Sequence, residues 1–348
     1  MIPVNYKLIS PKMLSFIVTD GCTAHCQDCC FNCSPKKSTF LTAEEMINVI
    51  KQLKDSLLVV VFTGGEATLH LNELSKVIHF CSNNNILTRI VTNGWWASTQ
   101  AKSDDFIKKL IDIGLSELNT STGDMHQKFI PLKNILNMAN SCIKYDLTLA
   151  INAEYSDSHI FNPFEFQKSE QWINLKEKDI HRKIEICPSP WISLSDEGEY
   201  TYNSMSVLAN NAELGCQYLF SQIIVDPNRN IIACCGLASE RINEMKLGNI
   251  KQTKILEAWE TEINDTLKKW LFISGPQKIL KTLINMDKEL EIAILDQFNK
   301  SIHQCQFCNI LHNNIKAKET LEKYLPIYKK QIEEVFNDKL ELIKFTQS

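Results

Sequence analysis

Features that would place this chain in several common functional classes are missing from its 348 residues. Lysine and arginine number 37 against 41 aspartates and glutamates, so the net charge of −4 lacks the basic excess that nucleic-acid binding requires. No stretch approaches the roughly 18 uncharged apolar residues of a membrane-spanning helix, and residues 1–15 lack the charged-then-apolar layout of a signal peptide. We therefore expect a cytoplasmic protein with no nucleic-acid partner and no membrane span.

The composition is typical of a folded protein with a sizeable core. Apolar residues make up 44% of the chain and charged residues 22%. The length suggests two domains, or one large domain with an appendage. The sequence shows no internal repeat and no low-complexity segment.

Apolar strands alternate with amphipathic helices through the first half of the chain. Thr42 and Glu45 form a capping-box pattern at the start of the first helix. The predicted strands cover residues 13–19, 57–63, 87–92, 116–120, 147–153 and 183–187, and the predicted helices cover residues 42–53, 71–81, 104–113, 132–145 and 164–175. This order predicts an α/β fold with a parallel sheet, an incomplete (β/α)6 TIM-type barrel.

The second half has a different pattern. Residues 223–225 and 230–233 flank an Asp-Pro-Asn-Arg turn and predict a β-hairpin. Helical stretches are predicted around residues 255–271 and over residues 309–348. We therefore expect a second, smaller module that ends in a helical tail.

Polar motifs follow the first three predicted strands. A cysteine cluster follows the first strand, Gly64-Gly65-Glu66 follows the second, and Asn93-Gly94 follows the third. Because the carboxyl ends of parallel strands lie at one edge of a barrel, these motifs are expected to converge on one face.

Thirteen cysteines are many for a chain that carries no export pattern. In a reducing compartment such clusters indicate metal or redox chemistry more often than disulfides. Cys22, Cys26 and Cys29 have the spacing C-x3-C-x2-C, and three thiolates on one loop can hold three irons of a 4Fe-4S cluster while the fourth stays open. A zinc site and buried free cysteines are the alternatives.

This cysteine loop and the Gly64-Gly65-Glu66 motif after the second strand together resemble the radical S-adenosylmethionine (SAM) superfamily. The resemblance implies that SAM chelates the open iron and that Gly64, Gly65 and Glu66 hold the amino end of its methionine. It also implies that Thr92 and Asn93 meet the SAM ribose, the alternative being a plain strand-ending turn. The cofactor then supplies a radical that removes hydrogen from an unactivated C–H bond, while the protein orients the reactants and excludes water.

Cysteines of the second module resemble the twitch domain, a short form of the SPASM extension of radical SAM enzymes. This resemblance implies a second, auxiliary 4Fe-4S cluster with four ligands. The candidate ligands are Cys216, one of the adjacent Cys234 and Cys235, Cys305 and Cys308. A zinc ribbon is the alternative, although only Cys305 and Cys308 have the knuckle spacing. The expected domains are a radical SAM partial barrel over residues 1–200, a twitch domain over 201–310 and a helical tail over 311–348.

One cysteine of the pair Cys234 and Cys235 is left over, and its thiol is a candidate hydrogen donor to a substrate radical. The pair, the tryptophans after Asn93, and the motif Asp124-x-His126 resemble radical SAM peptidyl epimerases. Asp124 and His126 are expected to line the cleft, the alternative being ordinary solvated loop residues.

The resemblance implies an enzyme that epimerises L- to D-residues in a ribosomally made precursor peptide, supplied with electrons by a flavodoxin or ferredoxin. A peptide crosslinking or oxidising maturase is the alternative within this superfamily, and a zinc-binding interaction protein is the alternative outside it. Because only 21 residues precede Cys22, the peptide is expected to bind the barrel mouth and second module directly, or through a separate protein.

Overall fold

The computed structural model describes residues 9–192, 194 and 214–347. These residues divide into two compact units. The N-terminal unit comprises residues 13–192, 194 and 226–228, and the C-terminal unit comprises residues 9–12, 214–225 and 229–347. The predicted domain boundary at residues 200 and 201 lies outside the described residues, and the tail boundary at 310 and 311 stays a prediction.

The N-terminal unit is built on a parallel sheet, as predicted. Its described part has six strands in the order β6-β5-β4-β3-β2-β1, each paired in parallel with its neighbour. They are β1 (Met13–Thr19), β2 (Val59–Gly64), β3 (Leu87–Thr92), β4 (Glu117–Thr122), β5 (Thr148–Tyr155) and β6 (Ile184–Pro190). The register places Thr19 opposite Gly64, so the motifs that follow β1 and β2 begin side by side.

Helices connect the strands and bury their apolar faces, which is the arrangement of a (β/α)6 partial barrel. They are α1 (Ala43–Leu53), α2 (Leu71–Ser82), α3 (Gln100–Asp112), α4 (Asp124–Gln127), α5 (Leu132–Lys144), α6 (Pro163–Phe166) and α7 (Glu170–Lys178). A short 3₁₀ turn covers Ala67–His70. The predicted capping box of α1 is confirmed, since Thr42 and Glu45 exchange side-chain and backbone hydrogen bonds.

The predicted helix over residues 164–175 is wrong, because the structure has two helices there. Asn162 caps α6, and Ser169 caps α7 by accepting a hydrogen bond from the Trp172 N–H. A second cap at Ser169 starts a new helix, and the periodicity of the apolar residues did not show it.

The C-terminal unit has a small antiparallel sheet followed by helices. The predicted hairpin is confirmed as β7 (Gln222–Val225) and β8 (Asn230–Ile232), and β9 (Lys246–Asn249) adds to it. The helices are α8 (Ile255–Ile263), α9 (Thr266–Met286), α10 (Lys288–Lys300), α11 (Gln304–Asn313) and α12 (Ile315–Gln347). Asp265 caps α9 and interrupts the helix predicted over residues 255–271.

The C-terminal helix α12 packs into this unit through buried aromatic rings. Phe336 is fully buried, and its ring centroid lies 5.7 Å from that of Phe220 and 5.9 Å from that of Phe272. Lys269 of α9 and Glu333 of α12 form an ion pair of 2.6 Å beside them. No helix within the described ranges is long and apolar enough to cross a membrane.

Candidate active site and auxiliary cysteine site

Cys22, Cys26 and Cys29 lie on a loop whose two ends are tied together at the end of β1. The Cys22 N–H donates to the Ser34 carbonyl, and the Ser34 N–H donates to the Asp20 carbonyl, each at 3.2 Å. The three thiols interact electrostatically with one another. The closed loop therefore gathers the predicted cluster ligands in one place.

The protonation of these thiols differs because their surroundings differ. Burial raises the pKa of Cys22 to about 11 and that of Cys26 to about 12. A hydrogen bond from the Cys33 thiol lowers the pKa of Cys29 to about 5, and the same bond raises the pKa of Cys33. Since the thiolate is the iron ligand, iron binding at Cys22 and Cys26 must release protons.

The glycine pair after β2 fits directly against this loop. The Gly65 N–H donates to the Thr19 carbonyl at 2.8 Å, and the Glu66 N–H donates to the Gly21 carbonyl at 2.9 Å. A Cβ on Gly65 would collide with the Gly21 carbonyl, and Gly64 has a φ of 123°. The glycines thus allow a close backbone contact beside Cys22.

Glu66 is fully buried, and its carboxylate is bound by protein donors. It accepts hydrogen bonds from the Thr68 N–H and hydroxyl, from the Thr92 hydroxyl at 2.8 Å and from the Asn93 N–H at 2.7 Å. Burial raises the pKa of this carboxyl. Glu66 therefore joins the turns after β2 and β3, and the predicted pairing with the SAM ammonium stays a prediction.

The Asn93 side chain reaches from the end of β3 to the cysteine loop. Its amide donates to the Thr23 hydroxyl at 2.9 Å and lies 3.7 Å from the Cys22 sulfur. Of the two tryptophans that follow, Trp96 is buried and stacks on Phe106, whereas Trp95 is 41% exposed. The predicted convergence of the three motifs is visible in these contacts.

The two residues of the Asp124-x-His126 motif have different surroundings. The Asp124 carboxylate accepts from the Ile160 and Phe161 N–H groups at 2.7 and 2.8 Å, so it anchors the loop after β5. The His126 Nδ1 lies 2.7 Å from the carboxylate of Glu154, which is nearly buried. His126 also acts electrostatically on Cys29, and Glu154 on Cys26. Sequence reasoning missed Glu154, although it stands near the carboxyl end of β5 where barrel sites lie.

The second group of cysteines meets around the turn after β8. Gly236 approaches both the Cys305 and Cys234 sulfurs, since a Cβ there would lie 3.2 and 3.4 Å from them. Cys305 and Cys308 stand one turn apart on α11, so both project from one face of that helix. Cys216 follows Gly215, and its N–H donates to the Leu271 carbonyl of α9 at 2.9 Å.

Cys234 and Cys235 differ in which sulfurs surround them. Cys234 is buried and interacts electrostatically with Cys216, Cys305 and Cys308. Cys235 is partly exposed and interacts with Cys216 and Cys305.

The donor sets fit iron-sulfur clusters by their chemistry. Thiolates are the usual ligands of such clusters, and each thiolate binds its own iron. Within the described ranges, no three Cys, His, Asp or Glu side chains converge closely enough to hold one metal ion.

Comparison with known protein families matches the two halves separately. The model of the radical SAM superfamily matches residues 16–140, and the SPASM iron-sulfur cluster-binding domain matches residues 216–309.

Among individual relatives, the putative peptide biosynthesis protein YydG of Bacillus subtilis is 23% identical over 156 residues. That match covers 43% of this chain and about half, 49%, of YydG.

Two solved structures share the fold at low identity. Streptococcus suis SuiB bound to S-adenosylmethionine is 16% identical, with a TM-score of 0.53 over 72% of this chain and 65% of SuiB. Native anSMEcpe with bound AdoMet and Cp18Cys peptide is 15% identical, with a TM-score of 0.52 over 94% of this chain and 99% of that chain.

The cysteine loop and its contacts with the turns after β2 and β3 lie within the first matched range, and the second group of cysteines lies within the other. The chain therefore contains a radical SAM domain and a SPASM iron-sulfur cluster-binding domain, and these domains imply 4Fe-4S clusters and S-adenosylmethionine as its cofactors.

Proposed function

We propose that this chain modifies a ribosomally made precursor peptide by epimerising L- to D-residues. A peptide substrate is supported by the name of YydG as a peptide biosynthesis protein and by the peptide bound to anSMEcpe. Epimerisation, as opposed to crosslinking or oxidation, is supported by one observation, the leftover thiol of Cys235.

Two sets of cysteines hold the clusters in this proposal. Cys22, Cys26 and Cys29 bind three irons of the first cluster. The auxiliary cluster is bound by Cys216, Cys234, Cys305 and Cys308. When bound, the first cluster and SAM supply hydrogen-atom abstraction from an unactivated C–H bond. The turn after β2 and the Asn93 segment hold SAM beside the cysteine loop.

Cys234 is the better ligand of the adjacent pair because it is buried among three of the other candidate ligands. The sulfurs that act electrostatically on Cys235 are those of Cys216 and Cys305, and the Cys235 side chain is partly exposed. A partly exposed thiol that binds no iron is free to act on a substrate. We therefore assign Cys234 to the cluster and Cys235 to the reaction.

The Cys235 thiol completes the epimerisation by returning a hydrogen atom. Its S–H bond breaks and a new C–H bond forms on the opposite face of the substrate carbon. One electron from a ferredoxin or flavodoxin and one proton from solvent then restore the thiol. The peptide leaves with the same composition as it entered, as an isomerisation requires.

His126, paired with Glu154, is proposed to face the substrate near the cysteine loop, whereas Asp124 positions the loop after β5 through its two backbone hydrogen bonds. We also propose a cytoplasmic reaction, because no cysteine among the described residues forms a disulfide bond and thiols persist in reducing compartments.

The source of the returned hydrogen tests this proposal. The enzyme is incubated with its precursor peptide in water and in heavy water, and the molecular mass of the product is measured by mass spectrometry. Because an S–H exchanges with solvent, the product should keep the substrate mass in water and gain about one mass unit in heavy water. Cys235→Ala should keep the iron and SAM cleavage of the wild type but lose the epimerised product.

Cys234→Ala is the matched control for the adjacent position. We expect it to lose auxiliary iron, which Cys235→Ala should retain. A product two mass units lighter than the substrate, made equally well by Cys235→Ala, would instead establish crosslinking or oxidation. The radical SAM assignment would stand in that case.

A further inference from the structure

Helix α9 has a kink that leaves one of its carbonyl groups without a helical donor. Gly275 has a non-helical φ of 75°, and Pro276 follows it inside the helix. Proline has no N–H, so the carbonyl four residues earlier, that of Phe272, cannot receive its usual hydrogen bond. A buried carbonyl needs another donor, and the surrounding chain supplies one.

The Lys339 ammonium of α12 donates to this Phe272 carbonyl at 2.7 Å. The preceding carbonyl, that of Leu271, accepts from the Cys216 N–H at 2.9 Å. Gly215 makes this approach possible, because a Cβ there would collide with the Phe272 carbonyl. Cys216 and Lys339 are thus fixed to consecutive carbonyls of one helix.

Several contacts hold the Lys339 ammonium in this position. It lies 4.1 Å from the centre of the Phe272 ring, a cation–π contact. Phe336, one turn earlier on α12, is fully buried against Phe220 and Phe272. No carboxylate among the described residues forms an ion pair with Lys339, so its charge is not cancelled locally.

We propose that Lys339 is a positioning residue of the auxiliary-cluster site, where it places a positive charge beside Cys216 and makes the C-terminal helix part of that site. The inference rests on the proposed role of Cys216 as a cluster ligand. A cluster with its thiolates carries net negative charge, and reduction adds to that charge. A nearby cation therefore favours the reduced form and raises the reduction potential.

The midpoint potential of the auxiliary cluster tests this inference. Cys22, Cys26 and Cys29 are first replaced together by alanine, so that only the auxiliary cluster contributes to an electron paramagnetic resonance redox titration. In this background Lys339→Met should lower the reduction equilibrium constant of the auxiliary cluster about tenfold. For one electron this is a fall of ~59 mV in the midpoint potential. Lys339→Arg keeps the charge and should stay close to the parent value.

Lys269→Met is the matched control. Lys269 is buried, whereas Lys339 is half-buried, and both lie between α9 and α12; the Lys269 ammonium is 5.2 Å from the centre of the Phe336 ring, but Glu333 already neutralises it. Lys269→Met should therefore leave the midpoint potential of the auxiliary cluster unchanged. If Lys339→Met loses the cluster, retention of auxiliary iron by Lys339→Arg and Lys269→Met supports the role of the charge.

Two results would overturn the inference. One is an unchanged midpoint in Lys339→Met, and the other is an equal change in Lys269→Met, which would indicate packing alone. Absence of auxiliary iron from the parent background would remove the cluster on which the inference rests. None of these results depends on whether the peptide product is epimerised, so the proposed reaction is tested separately.

Discussion

The buried carboxylate of Glu66 shows how one residue joins two turns of the candidate active site. Its four hydrogen bonds come from Thr68, Thr92 and Asn93, which connects the turn after β2 with the turn after β3. Asn93 in turn contacts the cysteine loop through Thr23 and Cys22. A substitution of Glu66 should therefore alter the contacts of Cys22, the first cysteine of the motif.

We expect Glu66→Gln to weaken SAM binding by about 1–3 kcal/mol, the usual cost of losing a charge-assisted hydrogen bond. The glutamine side chain also points its own N–H group at N–H and hydroxyl donors that the carboxylate accepted from, so at least one of these hydrogen bonds is lost. The thermal unfolding midpoint of the SAM-free protein should therefore fall as well. Iron content should not change. Calorimetric titration with SAM and a melting curve measure the two effects.

The exposed Glu44, in the first turn of α1, provides the control as Glu44→Gln. It should leave both measurements close to the wild type. If Glu66→Gln binds SAM normally and only melts earlier, the role of the carboxylate is to order the turns and not to contact SAM.

At the scale of elements, helices α3 and α5 are joined through one carboxylate. Asp104 of α3 accepts from Gln100 at 2.8 Å, from Ser141 at 2.7 Å and from Lys144 at 2.6 Å. Burial acts to raise the pKa of Asp104, but these hydrogen bonds outweigh it and lower the pKa to about 2. The contact thus depends on the ionised form.

Asp104→Asn should lower the unfolding free energy at pH 7 by about 1–2 kcal/mol, because a neutral amide replaces a charged acceptor. A carboxyl whose pKa is lower in the folded state stabilises above its unfolded pKa, near 3.8. The difference between wild type and variant should therefore shrink as pH falls from about 4 to about 2. Urea denaturation of the metal-free full chain measures it.

The neighbouring Asp105 is exposed and serves as the control, since Asp105→Asn should change stability little. An Asp104→Asn variant that is as stable as the wild type at pH 7 would contradict the proposed role of this carboxylate.

At the scale of the whole molecule, each of the two units has its own group of cysteines. Each group draws its members from within one unit, and the structure shows contacts within each group. Metal loading of one group therefore does not require ligands from the other.

Anaerobically reconstituted protein should hold about eight irons, four for each 4Fe-4S cluster. Joint replacement of Cys22, Cys26 and Cys29 by alanine should remove about half the iron and all SAM cleavage. Iron analysis and chromatographic detection of the SAM cleavage products measure these losses.

Replacement of Cys81 and Cys142 by alanine is the control, since both are fully buried in helices outside the two groups. Their loss should leave iron content unchanged. SAM cleavage that survives in the triple variant would contradict the assignment of the first cluster.

The sequence by itself determined the features that depend on local spacing. The bounds of β1 and β3, the capping box of α1 and the C-x3-C-x2-C loop are all set by residues close together in the chain. Parallel strands bring their carboxyl ends together, so the convergence of the first three motifs also followed from the order of strands and helices.

Only the tertiary structure decided which distant groups meet. Glu154 of β5 reaches His126 of α4, and Lys339 and the Cys216 N–H reach neighbouring carbonyls of α9. The difference between Cys234 and Cys235 has the same origin, because adjacent residues are equivalent by spacing and are distinguished only by which sulfurs fold around them. Spacing along the chain carries no information on such contacts, since they depend on packing between elements that are separated in sequence.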